Sequence, residues 1–590
     1  MPSALSVSDV RTIAALPFLA AQVHDDRVAW RYRHDGVWRD KTFTEVAEWV
    51  RELASGLVLD GVRSGDRVSV LSETRPEWSA AGLAILATGG IVVPIYPSSS
   101  PEEIAWILRD SGATMVICEN ESQCAKVESV RDELPELRAI AVIDAGEQKR
   151  PTLAALADQG RTAPVVDELD ARRAVIDPDD PTMIIYTSGT TGPPKGCVLT
   201  SNNWITLCRL TEETSHNVPD DVVYLFLPLA HVFAQIIQFA TMHGGGTLAF
   251  YGGNVKNIVP ELAEVRPTFL PSVPRIFEKI YTIATAAVPP EKLEQAVRLG
   301  LEVRRRRREG APVPSEMAAA FEQADAMFAQ VREVFGGRLR QALSGAAPIS
   351  RAVLEFFHAA GVPVLEGYGM SESTAVGTVN TLDHFKIGSV GTYGPAGLQV
   401  KIAEDGEILL SGPHLFAGYW NNPQATADVL VDGWLHTGDL GEIDDDGFVT
   451  ITGRKKDIII TAGGKNIAPA NVENALRQSR WISHAVVFGD LKPYLVALIT
   501  LDEDEIVPWA RERGLPTEVA ELAACPEVHE LVQGVVDEVN SHFSTVSQVR
   551  RFRVLGRDLS QEDGELTPTL KVKRKVIHTL HEKLYDEMYS

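Results

Sequence analysis

The strongest constraint on the fold is a regular alternation of helix and strand patterns that begins at Phe43. Residues 43–60 carry apolar side chains at helical spacing, and Gly61 follows them as a typical helix stop. The apolar runs Arg67–Leu71 and Ile91–Ile95 have strand character, and a further helix and strand come after them. Successive units of this kind predict an α/β fold with a mostly parallel sheet covered by helices. Ligands of such sheets bind at the carboxyl ends of the strands.

Length and charge limit the class of protein. A chain of 590 residues is too long for one ordinary core, so we expect two or more domains. The 80 acidic against 56 basic residues, a formal net charge of −24, argue against nucleic acid as the main partner. The five cysteines show no C-x-x-C spacing, which favours reduced cytosolic thiols. Residues 78–101 are uncharged but show a helix, turn and strand pattern rather than a membrane span, while peripheral membrane contact stays open.

The segment Tyr186–Gly196, with the sequence YTSGTTGPPKG, has the chemistry of a phosphate-binding loop. The apolar run Met183–Tyr186 predicts a buried strand that leads into it. Gly189 and Gly192 allow successive backbone N–H groups to point at an anion, and Lys195 adds a positive charge. The spacing differs from the Walker loop, and a simple Ser/Thr/Gly-rich turn is the alternative. The hydroxyl donors of the segment are Thr187, Ser188, Thr190 and Thr191.

The complete string resembles the signature loop of the adenylate-forming superfamily of acyl-CoA synthetases, luciferases and peptide-synthetase adenylation domains. Later motifs occur in the order typical of that superfamily. Residues 343–348 are rich in small side chains around Gly345, where a nucleotide could approach the backbone closely. In the string 364–372 the resemblance implies that Gly367 and Tyr368 line adenine and that Glu372 holds Mg²⁺. Thr187 is the second expected metal ligand.

The resemblance extends through a β-rich region and a domain junction. In the string 433–440 it implies that Asp439 binds the ribose hydroxyls, whereas an isolated Asp in a turn would serve turn chemistry. It implies a contact of Arg454 with ribose or phosphate, a hinge at Lys456, where Asp is common in the family, and a pantetheine channel near Gly463 and Gly464. The implied domains are 1–453, with a small β-rich subdomain at about 385–452, a hinge at 454–457 and a smaller mobile α+β domain at 458–590.

The segment 566–574 resembles the terminal motif of the family, which carries the lysine of the adenylation step. Lys571 aligns best with that lysine, although Leu570 replaces the glycine usual before it. Other cations nearby keep the assignment open, namely Lys573, Arg574 and Lys575.

Two features have both structural and functional interpretations. His231 ends a predicted strand at 222–231 and matches the segment that supplies an aromatic gate in the family, while a core or capping role is the alternative. The apolar residues after it, Val232 to Phe239, suit either an acyl tunnel or a core helix. The run Arg304–Arg308 favours a solvated helix face over a contact with anionic lipid or CoA phosphates.

The resemblance implies a cytoplasmic AMP-forming long-chain fatty acid:CoA ligase that uses ATP, Mg²⁺ and CoA. A carboxylate first attacks the α-phosphate of ATP, and the CoA thiol then attacks the acyl-adenylate. A fatty acyl-AMP ligase that loads a carrier protein, a luciferase-like oxygenase and a lipid-binding or uptake protein at the inner face of the membrane are the alternatives. Acyl length and oligomeric state, a homodimer included, are not determined by the sequence.

Overall fold

The computed structural model describes residues 5–147, 149–187, 193–214, 218–286, 288–567 and 570–590. The chain forms two compact units. The larger unit runs up to Lys401 and adds Leu409–His436 and Asp444–Val449. The smaller unit comprises Ile402–Ile408, Thr437–Ile443 and Thr450–Ser590. The α/β class predicted from the alternating pattern is confirmed.

A seven-stranded sheet in the larger unit carries the predicted phosphate-binding segment. The strand Arg67–Leu71 pairs in parallel with both Ile91–Ile95 and Met115–Cys118, as the βα pattern predicts. The two strands on either side of the segment pair antiparallel and form a hairpin. Across the sheet the strands lie in the order Gly418–Tyr419, Lys195–Thr200, Pro181–Thr187, Ile91–Ile95, Arg67–Leu71, Met115–Cys118 and Ala139–Val142.

An eight-stranded sheet forms the second layer of the larger unit. The prediction of one strand over 222–231 is wrong, because the strand ends at Leu225. Pro228 has no N–H to donate to a neighbouring strand, and its carbonyl oxygen instead accepts the His231 N–H at 2.9 Å. The strand order is Thr378–Val379, Val364–Tyr368, Gln341–Ser344, Phe269–Ser272, Val222–Leu225, Thr247–Phe250, Val28–His34 and Val37–Thr42.

Helices cover these sheets, and local sequence sets their ends. The helix Phe43–Leu59 begins with a capping box in which Thr42 and Glu45 bond to each other's backbone N–H groups. It ends before Gly61, which has a φ of +96°. The helices of this unit are Leu16–His24, Phe43–Leu59, Pro76–Ala87, Pro101–Ser111, Glu121–Ser129, Leu153–Thr162, Val166–Val175, Ser201–Glu213, Val232–Gly244, Ile258–Val265, Pro274–Thr285, Pro290–Arg308, Ser315–Val334, Arg351–Ala360 and Pro423–Val429.

A five-stranded sheet occupies the region predicted to be β-rich. Its strands are Gln399–Ile402, Glu407–Ser411, Trp434–Ile443 and Leu430–Val431 in that order, with Val449–Arg454 paired to Trp434–Ile443. The smaller unit is α+β, with a three-stranded sheet of Ile482–Phe488, Leu495–Leu501 and Val549–Val554 and a short hairpin of Ile459–Ile460 and Asn466–Ile467. Its helices are Pro469–Arg477, Glu503–Glu512, Val519–Leu522, Pro526–Ser541, Arg574–Leu580 and Glu582–Tyr589.

The arginine run Arg304–Arg308 ends the helix Pro290–Arg308 and binds groups of its own unit. Arg305, Arg307 and Arg308 are exposed, as expected for a solvated face, and carboxylates, a carbonyl oxygen and aromatic rings also contact the guanidinium groups. The contacts are Arg304 Nε to the Ala359 oxygen at 2.7 Å, Arg305 and Arg306 to Glu302 at 2.9 and 2.6 Å, Arg307 over Phe321 at 5.2 Å and Arg308 over Phe385 at 4.6 Å. Of the helices in the described ranges, none is long and apolar enough to cross a bilayer.

Candidate active site

The predicted phosphate-binding segment joins two antiparallel strands of the seven-stranded sheet. Thr187 ends the first strand and lies directly opposite Lys195, which begins the second. The Thr187 hydroxyl donates to the Lys195 carbonyl oxygen at 3.5 Å. Five of the predicted ligand residues lie outside the described residues, namely Ser188, Gly189, Thr190, Thr191 and Gly192. The structure thus brings together the two ends of the segment, a hydroxyl and an ammonium group.

Hydrogen bonds around Asp110 and Trp106 stabilise this hairpin. The Tyr186 hydroxyl donates to Asp110 Oδ2 at 2.6 Å, and Trp420 Nε1 donates to the Asp110 carbonyl oxygen at 3.1 Å. Trp106 Nε1 donates to the Pro194 carbonyl oxygen at 2.9 Å, just before the second strand. Burial, followed by the bond to Asp110, raises the pKa of Tyr186. The sequence motifs did not identify these supporting residues, because their partners are distant in the chain.

Glu372 lies in a short 3₁₀ turn, Ser371–Ser373, and its residue is only 7% exposed. The Tyr419 hydroxyl donates to Glu372 Oε1 at 2.7 Å. The Lys195 ammonium lies 5.0 Å from the centre of the Tyr419 ring, within range of a cation–π contact. Burial, followed by the Glu372 carboxylate, raises the pKa of the neighbouring Cys197 thiol well above its usual value. The predicted phosphate-binding lysine and the predicted metal-binding glutamate therefore share one partner, Tyr419.

The donor set fits a magnesium ion that is shared with a phosphate chain. Among the residues that the structure describes, no group of three or more His, Cys, Asp or Glu side chains is arranged to hold a metal ion. Mg²⁺ needs no such group, because it commonly takes one or two protein carboxylates and completes its shell with water and substrate phosphate. The single buried carboxylate of Glu372 meets that requirement, and the hydroxyl of Thr187 is a second oxygen donor.

The predicted adenine segment lies beside the small-residue segment in the eight-stranded sheet. The strands Gln341–Ser344 and Val364–Tyr368 pair in parallel, so Gly345 and Gly367 follow closely on adjacent strands. A Cβ built on Gly345 would lie 3.7 Å from the Gly367 carbonyl oxygen, which is an ordinary contact. Tyr368 is 9% exposed, and its carbonyl oxygen accepts the Gly377 N–H at 2.7 Å. The structure therefore brings Gly345, Gly367 and Tyr368 into one region.

Gly369 is a position that the motif analysis missed, and its environment excludes any side chain. A Cβ at Gly369 would lie 2.1 Å from the Ala375 carbonyl oxygen, a separation that backbone atoms cannot accept. We expect Gly369→Ala to displace the turn that carries Glu372 and to weaken ATP binding at least tenfold, about 1.4 kcal/mol. Equilibrium binding of ATP measures this effect. Gly345→Ala is the control for folding, since its methyl group fits; equal melting temperatures of the two variants would contradict the steric argument.

His231 caps the helix Val232–Gly244 at its N-terminus. Its Nδ1 accepts the backbone N–H of Phe233 at 3.1 Å, which satisfies one of the donors that a helix start leaves unpaired. The Phe233 ring in turn lies 3.6 Å from where a Cβ on Gly345 would be. The capping role is thus present in the structure, and the gating role stays a prediction.

An apolar cavity extends from Phe233 along the same helix. Phe233, Ile236 and Ile237 face this cavity, whereas Val232 and Phe239 lie in the core. Residues of this helix therefore line a cavity and also belong to the core, and the acyl tunnel stays a prediction. The lining residues are Leu207, Leu210, Thr211, Thr214, Phe233, Ile236, Ile237, Ala240, Thr241, Phe269, Pro271, Leu343, Val376 and Val379.

In the smaller unit, the predicted ribose and phosphate residues form an ion pair. Arg454 Nε lies 2.9 Å from Asp439 Oδ1, and the Asp439 side chain is 14% exposed. Lys455, the next residue, forms ion pairs with Asp405 at 2.5 Å and Glu407 at 3.3 Å. These two carboxylates raise the pKa of Lys455 above its ordinary value. The structure thus places Asp439 and Arg454 together, and their roles at the ribose and phosphate stay predictions.

The predicted hinge and glycine loop are both exposed turns. Lys456 lies in a turn that the Asp457 N–H closes on the Arg454 carbonyl oxygen at 3.0 Å. Gly463 and Gly464 lie in the loop of the short hairpin, where Gly464 has a φ of +72°. A rotation at one backbone position of such a turn breaks few contacts.

Lys571 is exposed in a hairpin of the smaller unit. The Lys571 N–H donates to Thr567 Oγ1 at 3.0 Å, and Leu566 forms an isolated bridge with Val572. Three residues on, Arg574 binds Glu473 through two hydrogen bonds of 2.7 and 2.8 Å. Burial lowers the pKa of Arg574, but Glu473 outweighs that effect and leaves it above the usual value. Arg574 thus has a structural partner, and the role of Lys571 stays a prediction.

The backbone conformation at Leu570 is one that glycine adopts easily, and glycine is common at this position in the family. Its φ is +59°, a left-handed conformation that costs a side chain with a Cβ about 1–2 kcal/mol. Leu570 is 61% exposed, so removal of its side chain costs little stability from lost packing. We expect Leu570→Gly to raise the free energy of unfolding by about 0.5–1 kcal/mol after the entropy of glycine is deducted. Denaturant unfolding tests this, with Leu580→Gly as the control; a loss of stability in Leu570→Gly would contradict the expected strain.

The chain matches known protein families over most of its length. Residues 18–420 match the family described as AMP-binding enzyme, and residues 456–590 match the AMP-binding enzyme C-terminal domain. The chain is 39% identical to long-chain-fatty-acid–CoA ligase FadD15 of Mycobacterium bovis, over 98% of this chain and 97% of that protein. It is 33% identical to long-chain-fatty-acid–CoA ligase ACSBG2 of Xenopus laevis, over 96% of this chain and 82% of that protein.

A solved structure with a similar fold is the anthranilate CoA ligase AuaEII in complex with anthranoyl-AMP. It superimposes with a TM-score of 0.72 over 98% of this chain and 100% of that chain. The sequence identity of 20% is low, so this similarity shows the fold alone.

Proposed function

Because this chain belongs to the AMP-binding enzyme family, we propose that it is a long-chain fatty acid:CoA ligase that activates its substrate as an acyl-adenylate. The products are acyl-CoA, AMP and pyrophosphate. One observation carries the substrate class: the apolar cavity along the helix Val232–Gly244 begins at Phe233, which lies against Gly345 in the predicted nucleotide region. An acyl chain in that cavity would place its carboxylate toward the nucleotide.

In the first half-reaction, the fatty carboxylate attacks the α-phosphate of ATP and pyrophosphate leaves. Both reactants are anions, so the protein must supply positive charge and hydrogen-bond donors where negative charge increases. Lys195, the hydroxyl of Thr187 and the backbone of the segment 188–192 bind the phosphates in this proposal, and Lys571 supplies the cation at the reacting centre. When bound, Mg²⁺ neutralises phosphate charge, and Glu372 and Thr187 are the residues that would hold it.

Residues of several sequence motifs bind the nucleoside in this proposal. Gly345, Gly367 and Tyr368 line the adenine, and Asp439 accepts hydrogen bonds from the ribose hydroxyls. Arg454 already lies 2.9 Å from Asp439, which supports a role beside the same ribose or its phosphate. His231, at the start of the helix that borders the cavity, is proposed to gate the passage between nucleotide and acyl chain.

In the second half-reaction, the CoA thiol attacks the acyl carbon of the adenylate and AMP leaves. The five cysteines are not needed for this step, because the nucleophile belongs to CoA. We place the hinge in the exposed turn at Lys456, so that the domain proposed at 458–590 rotates between the two half-reactions. That rotation would withdraw Lys571 and bring Gly463 and Gly464 to the pantetheine channel.

Substitution of Ala240, which also lines the cavity, tests whether the cavity binds the acyl chain. Ala240 lies seven residues after Phe233 on the same helix, about 10 Å further along its axis. We expect Ala240→Phe to lower kcat/KM for stearate at least tenfold and to leave octanoate nearly unaffected, since each excluded methylene costs about 1 kcal/mol or more. Thr241→Val, which lines the same cavity without a change of size, is the matched control. An unchanged length profile in Ala240→Phe would remove the cavity from the acyl site.

Pyrophosphate release tests the proposed function directly. ATP and Mg²⁺ are supplied with fatty acids from acetate to stearate, with and without CoA. Multiple turnovers with long chains that require CoA are the expected result. A single turnover that CoA does not increase would instead indicate the loading of a carrier protein. No release with any acid, together with binding to anionic vesicles, would indicate a lipid-binding protein.

A further inference from the structure

Tyr419 contacts both the predicted metal-binding glutamate, Glu372, and the predicted phosphate-binding lysine, Lys195. Its hydroxyl donates to Glu372 Oε1 at 2.7 Å, and its ring lies 5.0 Å from the Lys195 ammonium. Tyr419 itself lies in the short strand Gly418–Tyr419, opposite Cys197 of the strand that Lys195 begins. A backbone bond from the Trp420 N–H to the Gly196 carbonyl oxygen at 2.8 Å continues this pairing. The backbone of Tyr419 is therefore paired with the phosphate-binding hairpin, while its hydroxyl reaches the turn that carries Glu372.

The turn that carries Glu372 is docked on the segment before Tyr419. The Phe416 N–H donates to the Glu372 carbonyl oxygen at 2.9 Å, and the Thr374 hydroxyl donates to the His414 carbonyl oxygen at 2.6 Å. Asn203, near the start of the helix Ser201–Glu213, holds the same segment through its side-chain amide. That amide donates to the carbonyl oxygens of Pro413 at 2.9 Å and Leu415 at 2.8 Å.

These contacts hold the turn that carries Glu372, and the Tyr419 hydroxyl binds one oxygen of the Glu372 carboxylate. A carboxylate that is only slightly exposed needs a hydrogen-bond donor, and such a bond fixes which oxygen remains available to a ligand. In metal sites, removal of a residue that orients a ligand carboxylate commonly weakens metal binding. The hydroxyl of Tyr419 is the group that occupies this position beside Oε1.

We propose that Tyr419 is a positioning residue that orients Glu372 for a divalent metal bound with ATP and holds Lys195 against the same phosphates. This inference rests on the proposed function. The hydroxyl acts on the metal through Glu372, and the ring acts on the phosphates through Lys195. The two contributions are therefore separable by substitution, because Tyr419→Phe removes only the hydroxyl and Tyr419→Leu removes the ring as well.

The first test measures Mn²⁺ binding by electron paramagnetic resonance in the presence of α,β-methylene-ATP. Tyr419→Phe is expected to weaken Mn²⁺ binding about 10- to 100-fold. The affinity for metal-free α,β-methylene-ATP should stay within about threefold of wild type in Tyr419→Phe and fall further in Tyr419→Leu, which loses the cation–π contact.

A matched control separates this effect from a general loss of stability. The Tyr224 hydroxyl donates to Glu261 Oε2 at 2.6 Å, so it is another buried tyrosine on a carboxylate, in a different part of the same unit. Tyr224→Phe is expected to lower the melting temperature to a similar extent and to leave Mn²⁺ affinity unchanged. Equal losses of Mn²⁺ affinity in Tyr224→Phe and Tyr419→Phe would overturn the proposal.

A double-mutant cycle shows whether Tyr419 acts through Glu372. In a Glu372→Ala background, the further change Tyr419→Phe should alter Mn²⁺ affinity by less than about twofold. An undiminished effect in that background, or wild-type Mn²⁺ affinity in Tyr419→Phe alone, would overturn the inference. Pyrophosphate release by the wild-type protein in the same preparation tests the proposed function separately, so the two failures remain distinguishable.

Discussion

Lys571→Ala is expected to slow acyl-adenylate formation by about 10²- to 10³-fold, the usual loss when one group that stabilises transition-state charge is removed. Thioester formation from supplied acyl-AMP should continue at a rate close to wild type, because the new bond forms at the acyl carbon and Lys571 is proposed to be withdrawn during that step. Pyrophosphate exchange measures the first half-reaction, and consumption of CoA thiol with synthetic acyl-AMP measures the second.

Neighbouring cations provide the controls for Lys571. Lys575→Ala removes an exposed charge four residues away and should leave both half-reactions nearly unchanged. Lys573→Ala tests the other lysine that the motif left open. A selective loss of adenylation in Lys573→Ala, or equal loss of both half-reactions in Lys571→Ala, would reject the role proposed for Lys571.

Arg574→Ala is expected to destabilise the smaller unit by about 3–5 kcal/mol, because the Glu473 carboxylate loses its cation and keeps a hydrogen bond from the Val487 N–H. Arg574 donates to both Glu473 oxygens at 2.7 and 2.8 Å and to the Val487 carbonyl oxygen at 2.7 Å. These bonds join the helix Arg574–Leu580 to the helix Pro469–Arg477 and to the strand Ile482–Phe488, and Glu473 is 101 residues away in sequence. Thermal unfolding followed by circular dichroism measures the loss.

The control for Arg574 is again Lys575→Ala, which removes the same charge from an exposed neighbour and should unfold within about 0.5 kcal/mol of wild type. Arg574→Lys keeps the charge but loses the paired geometry, so an intermediate loss is expected. A melting temperature of Arg574→Ala equal to that of Lys575→Ala would mean that the Glu473 pair adds no stability.

Local patterns predicted most of the fold. Strand Arg67–Leu71 and strand Ile91–Ile95 have the predicted bounds, because apolar runs between helix stops depend only on neighbouring residues. The prediction of a strand over 222–231 is wrong. The turn at Pro228 and the helix cap at His231 follow the shorter strand, and hydrophobicity alone does not reveal them. The family resemblance predicted which motifs belong together, and the structure places Gly345 beside Gly367 and Asp439 beside Arg454.

The sequence by itself determined the fold class, the order of the motifs and the family, since these depend on periodicity and on short strings of glycine, hydroxyl and charged residues. Only the tertiary structure decided which partner each charged group has. Tyr419 reaches Glu372 from 47 residues away, and Arg574 pairs with Glu473 from 101 residues away. The physical reason is that hydrogen bonds and ion pairs depend on distances in space, and chain folding brings together side chains whose separation along the sequence carries no such information.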